Sequence, residues 1–131
     1  MIHLNVSVIA LAFVSFSCSK PASSIASKAV PGCYTGKLVK KGICGQDVIE
    51  LQSTDKEGLE IAAMWNDPSS KTNYQNVFTV ANPCDFPANI KQGEAFTFTI
   101  AGKEINTCAL CEAFTPTPGA KNLITVGCKT N

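Results

Sequence analysis

The side chains of this 131-residue chain whose spacing most suggests covalent or metal chemistry are its cysteines. Cysteines stand at Cys18, Cys33, Cys44, Cys84, Cys108, Cys111 and Cys128. The one close pair is Cys108-Ala109-Leu110-Cys111. A Cys-x-x-Cys spacing serves a redox dithiol when a helix N-terminus in a strand–helix–strand setting lowers the thiol pKa. The surrounding residues predict no such unit, and no Trp, Pro or His accompanies the motif. Two structural cysteines, bridged to each other or to different strands, are the expected reading, with redox chemistry as the alternative. A zinc site would need Cys84 and Cys128, or Cys33 and Cys44, to complete four thiolates. A second Cys-x-x-Cys is missing, so no metal and no cofactor are expected.

Two absences narrow the chemistry further. The only histidine is His3, and all 11 basic residues are lysine. Once an N-terminal leader is removed, the chain has no imidazole, the commonest general base and metal ligand. It also lacks the guanidinium fork that grips phosphate or carboxylate bidentately. The ten carboxylates, Asp47 to Glu112, fall mostly in turns or outward on strands, and any ten acids supply some pair at glycosidase spacing. No phosphate loop, nucleophile elbow or calcium loop is present. At net charge +1 there is no basic stripe for nucleic acid, and Lys40-Lys41 reads as a solvated turn. The chain is therefore expected not to be an enzyme. For binding, Trp65 and Tyr74, with Phe78 and Phe86, offer an aromatic platform for a saccharide or a protein ligand. Trp65 leads, because Asn66-Asp67 places it at a loop mouth. The opposing reading is core, because Trp65 is in phase with Leu59, Ile61 and Ala63.

The elements that must hold these residues are strands. The chain is organised around residues 82–100: a loop held by Cys84, a turn at Gln92-Gly93-Glu94, then a strand over 95–100. In that strand Phe96, Phe98 and Ile100 point one way, and Ala95, Thr97 and Thr99 the other, the alternation of a half-buried strand. Further strands are predicted over 33–41, with Tyr34, Gly36 and Leu38 inward and Lys37 and Val39 outward, and over 48–53, with Ile49 and Leu51 inward. Another is predicted over 59–65, as the hairpin partner of 48–53 across Thr54-Asp55-Lys56-Glu57-Gly58. Strands over 74–81 and 123–128 complete the set, while 108–114 reads as a strand or a short helix and 115–122 as a proline-rich loop. No segment sustains a helical period. The expected fold is all-β, a small disulfide-stapled barrel with a β-sandwich as the alternative. Residues 86–96 resemble the turn into a late strand of an OB barrel, which implies a barrel that binds on one face.

The N-terminus places the domain. Residues 6–16 form an apolar run too short to span a bilayer, which takes about 20 helical residues. It suits the core of a secretory signal. Ser17-Cys18 follows it and resembles a relaxed lipobox, with Ser15 where bacterial lipoproteins usually carry Leu. The resemblance implies cleavage before Cys18 and lipidation of that cysteine; the alternative is plain secretion. Residues 1–17 are then the signal peptide and 18–31 the lipidated cysteine and tether. The tether, small, polar and bounded by prolines, reaches roughly 40 Å when extended. Residues 32–131 form the single domain. Setting Cys18 aside leaves six cysteines, Cys33, Cys44, Cys84, Cys108, Cys111 and Cys128. An even set in an exported domain reads as a disulfide framework with 15 possible pairings. The expected protein is a non-enzymatic module of the cell envelope, held to the membrane by its N-terminal lipid and facing the periplasm, with an unknown protein or saccharide ligand.

Overall fold

The computed structural model describes residues 32–129. The signal segment, Cys18 and the tether to residue 31 lie outside the described residues. Seven strands form: β1 (Tyr34–Lys40), β2 (Val48–Leu51), β3 (Ala62–Asp67), β4 (Thr72–Val80), β5 (Ala95–Ile100), β6 (Lys121–Asn122) and β7 (Ile124–Val126). The all-β architecture follows from the alternation of β-branched and aromatic residues between turn formers.

The pairings run in a circuit. β1 is antiparallel to β2 on one flank and to β5 on the other. β2 continues to β4, and β5 to β7. Only Leu123 separates β7 from β6, and β6 lies parallel to β4. The final segment therefore touches both β5 and β4. That closing contact is short: Thr79 faces Lys121 and Val80 faces Asn122, while the Thr79 and Ala81 amides donate to the Ala120 and Asn122 carbonyls at 2.9 Å. The sheet is thus curled and joined by a small seam, a partly open barrel.

Its interior is one cluster drawn from five strands: Tyr34 and Leu38, Ile49 and Leu51, Phe78 and Val80, Phe98, and Ile124, with Phe86 and Ile90 closing one side. Phe98 sits at the centre, 5.4 Å from the Tyr34 ring and 5.7 Å from the Phe78 ring. A Cβ on Gly36 would come 2.6 Å from Ile49 Cγ2 and 3.0 Å from Phe98 Cε1, so glycine alone lets the ring lie against β1.

Three features differ from the sequence expectation. First, the register shifts between Leu38 and Lys40, which makes Val39 an extra residue in β1. Leu38 points into the main core and Val39 into a second cluster with Val48 and Val77, so Val39 is buried rather than outward. Second, 48–53 and 59–65 are not hairpin partners. Val77 of β4 pairs with Glu50 of β2 and with Ala62 of β3, so the two segments flank β4 on opposite sides. β4 is long enough to take both and bends at Asn76, whose φ of 51° is left-handed. Asparagine tolerates that conformation better than most residues. Lys56 Nζ donates to Asn76 Oδ1 at 2.6 Å at the place where the β3–β4 hairpin leaves the barrel. Third, 108–114 is neither strand nor helix, because it runs as an irregular surface segment.

Candidate functional site

The six cysteines pair as Cys33–Cys128, Cys44–Cys111 and Cys84–Cys108, with Cα separations of 5.7, 5.3 and 5.6 Å. The two members of the Cys-x-x-Cys motif are therefore bonded to different partners. Three disulfides are consistent with a location outside the cytoplasm. Cys33–Cys128 ties the beginning of the barrel to its end. The other two bridges fasten one long surface arm.

That arm is residues 102–114, every one of them exposed. Cys108 is bonded to Cys84 in the β4–β5 connection, and Cys111 to Cys44 in the β1–β2 loop. Asp85 adds a polar clasp. Its Oδ2 accepts from the Ile105 amide at 2.9 Å, and its Oδ1 from the Asn106 amide and side chain at 2.9 and 2.7 Å. The Ile105 amide, together with the Asn82 and Asn106 donors, outweighs desolvation and holds the Asp85 carboxyl below its ordinary value. Asn82, 1% exposed, joins the clasp to the barrel by exchanging two hydrogen bonds with the Ile124 backbone at 2.8 and 2.9 Å. At the arm's far end Gln46 Nε2 donates to the Ala113 carbonyl at 3.1 Å.

The arm and the β1–β2 loop carry the largest exposed apolar side chains of that end. Ile43 and Phe114 are each 83% exposed, and Leu110 is 53% exposed. Ile43 and Phe114 face the same shallow cavity of about 300 Å³, floored by Thr115 and Pro116. Leu110 lines a neighbouring cavity of about 260 Å³ beside Gly45 and Pro83. Cys44 and Cys111, the bridge that joins the two loops, also line that second cavity. Large apolar side chains left in water on covalently fastened loops make this end the candidate binding surface. No periodicity signals them. The available sign was their position: Ile43 between Gly42 and Cys44, and Phe114 two residues before a proline.

The lysines of that end have specific partners; Lys40 is half-buried, which overturns the solvated-turn reading for it, whereas Lys41 remains exposed. Lys40 Nζ lies 2.7 Å from Asp67 Oδ1 and 2.9 Å from Ser69 Oγ. Lys41 Nζ donates to the Ala88 and Ile90 carbonyls at 2.7 and 2.8 Å. Burial alone would raise the Asp67 carboxyl, but the Lys40 ammonium and the donors of Ser69 and Ser70 prevail and hold it well below the carboxylate range. Asp47, at the base of the loop, goes the other way. Burial raises it, although the Gly42 amide donates to its Oδ1 at 2.9 Å.

Trp65 and Tyr74 are brought together as a cross-strand pair of β3 and β4, with ring centroids 5.9 Å apart and planes within 21°. Both are half-buried and pack on Val39, Val48 and Val77. Lys40 Nζ stands over the indole, 5.3 Å from its centroid. Phe78 and Phe86, placed beside them in the sequence reading, are instead in the main core. Comparison with protein-family models, curated proteins and solved structures finds no match to this chain.

Proposed function

We propose that this chain is an exported, lipid-anchored module without enzymatic activity that binds a protein partner through the apolar end made by its β1–β2 and β5–β6 loops. The observation that carries this reading is the exposure of Ile43 and Phe114, each 83%, around one cavity on loops joined by Cys44–Cys111. A fastened loop loses little conformational freedom on binding, so its apolar contacts count nearly in full. OB-like barrels use the same two loop positions for recognition. The direction of β1 favours the role. The tether enters at Gly32, beside the Cys33–Cys128 bridge, and β1 then runs seven residues, roughly 23 Å, to the loop that carries Ile43. The point where the tether joins the domain and the binding end stand at opposite ends of that strand. A saccharide platform at Trp65 and Tyr74 is the lesser reading, since Lys40 occupies one face of the indole.

The test is site-specific photo-crosslinking in the native envelope. A crosslinker at position 43 or 114 captures one discrete protein, and the same group at Lys37 or Thr97 on the barrel wall does not. Equal capture at both surfaces, or none at either, rejects the reading. Intact mass of the membrane-extracted protein checks the anchor: an acyl increment on a chain beginning at Cys18 is the expected result.

A further inference from the structure

Cys108 and Cys111 are neighbours on the arm, yet each is bonded to a different anchor on the barrel. Both are exposed, whereas Cys44 is buried and Cys84 is half-buried. Exchange depends on access to the sulfur under attack, so an incoming thiolate meets the arm first. The arm's polar holds, at 105–106 and at 113, lie on either side of the motif. Among the described residues, 107–112 make no hydrogen bond, so between those holds the segment is fixed by the two bridges and by Leu110 beside Gly45 and Pro83.

We propose that Cys108-x-x-Cys111 is a thiol–disulfide exchange site that converts two barrel-to-arm bridges into one bridge within the arm. The co-reactant is a dithiol. Its thiolate attacks Cys108 Sγ, the Cys84–Cys108 bond breaks, and Cys84 leaves as a thiolate and takes up a proton. The second thiol of the reagent resolves the mixed disulfide and leaves Cys108 as a thiolate. Two electrons have passed from the dithiol, now a disulfide, to the protein. The Cys108 thiolate then attacks Cys111 Sγ three residues away. The Cys44–Cys111 bond breaks, its electron pair and a proton end on Cys44, and Cys108–Cys111 forms with no further electron transfer. This second step is intramolecular, between groups held at high effective concentration. The Cys44 thiol it releases is a small apolar group suited to its buried position. The inference needs only the bridge pattern and the exposure; because it opens the Cys44–Cys111 bridge that fastens the proposed binding end, its tests read thiol positions and not partner capture.

A variant tests the second step without a reductant. Cys84→Ser leaves Cys108 as the lone thiol beside an intact Cys44–Cys111 bridge. After incubation at mildly alkaline pH, alkylation and peptide mapping place the free thiol on Cys44 in most molecules, with Cys108 and Cys111 bridged. In the control, Cys108→Ser, the free thiol stays on Cys84. A Cys84→Ser protein that keeps Cys44–Cys111 and is alkylated on Cys108 overturns the proposal. Wild-type protein titrated with one equivalent of dithiothreitol provides the second measurement and needs no variant to fold. Free thiols at Cys44 and Cys84 are expected in the two-electron-reduced species. Retention of Cys44–Cys111, or earlier opening of Cys33–Cys128, refutes it.

Discussion

The barrel wall and the arm at 102–114 are stabilised by different means. In the wall, β1, β2, β4 and β5 share backbone ladders and pack Leu38, Ile49, Phe78 and Phe98 to zero exposure. The arm has no ladder and no buried residue, and is kept in place by two disulfides, the Asp85 clasp and one Gln46 contact. The wall gains free energy from apolar surface removed from water. The arm exposes apolar surface and needs covalent help to do so. If the proposed binding end is right, stability and recognition fall to separate residues, and substitutions in the two regions have separable effects.

The largest effect is expected at the centre of the wall. Phe98→Ala removes a fully buried ring from five-strand packing and costs about 3–5 kcal/mol, read as a lowered urea midpoint. Next comes the ion pair beside the arm. Asp67→Asn leaves Lys40 without its carboxylate and costs about 1.5–3 kcal/mol, checked against Lys40→Met, which removes the other partner. A smaller effect is expected at the bend of β4: Asn76→Val forces a β-branched residue into left-handed backbone at a cost of about 1–2 kcal/mol, while Asn76→Gly is nearly neutral in the same melt. The smallest change in stability belongs to the apolar end, the arm together with the β1–β2 loop. Ile43→Ser with Phe114→Ser shifts unfolding by less than about 0.5 kcal/mol. The same pair abolishes crosslinking to the partner. If the arm variants melt like the wall variants, the division between the two regions is wrong.

Acid titration sharpens the contrast through two aspartates. Asp67 has a folded pKa depressed below its unfolded value of 3.8, so its stabilisation is whole above that value and is lost as pH falls below it. Asp47 has a folded pKa raised by burial, so its ionised form costs stability above the raised value, and the cost fades as pH falls through it towards 3.8. Unfolding followed from neutral to acid pH should show relief from Asp47 before the loss at Asp67. Asp47→Asn should remove the first and leave the second.

Much of the wall was legible in the sequence. Alternation located β5 and β2 and put Phe98, Ile49 and Leu51 inside, and the Gln92-Gly93-Glu94 turn is present with Gly93 at φ 90°. Alternation failed where the chain breaks its own period. The bulge at Val39 turns two consecutive residues inward, and the bend at Asn76 lets β4 take partners that sequence order did not indicate. The roles of Lys40 and Lys41 were hidden because their acceptors lie 27 to 76 residues away. The cysteine count pointed to a framework, but pairing depends on which loops meet, and only the curled sheet brings Cys44 to Cys111.

The position of β1 also has a mechanical meaning. A pull between Cys33 and the loop at Ile43 runs lengthwise along this strand, which is bonded on both flanks for most of its length. Tension in that direction loads the two ladders in shear, so many hydrogen bonds must yield together and none can be unzipped singly. The same domain pulled across its short β4–β6 seam would face two residue pairs at a time. The molecule is thus strong along one axis and weak across another, and the strong axis is the one that joins the tether to the apolar loops.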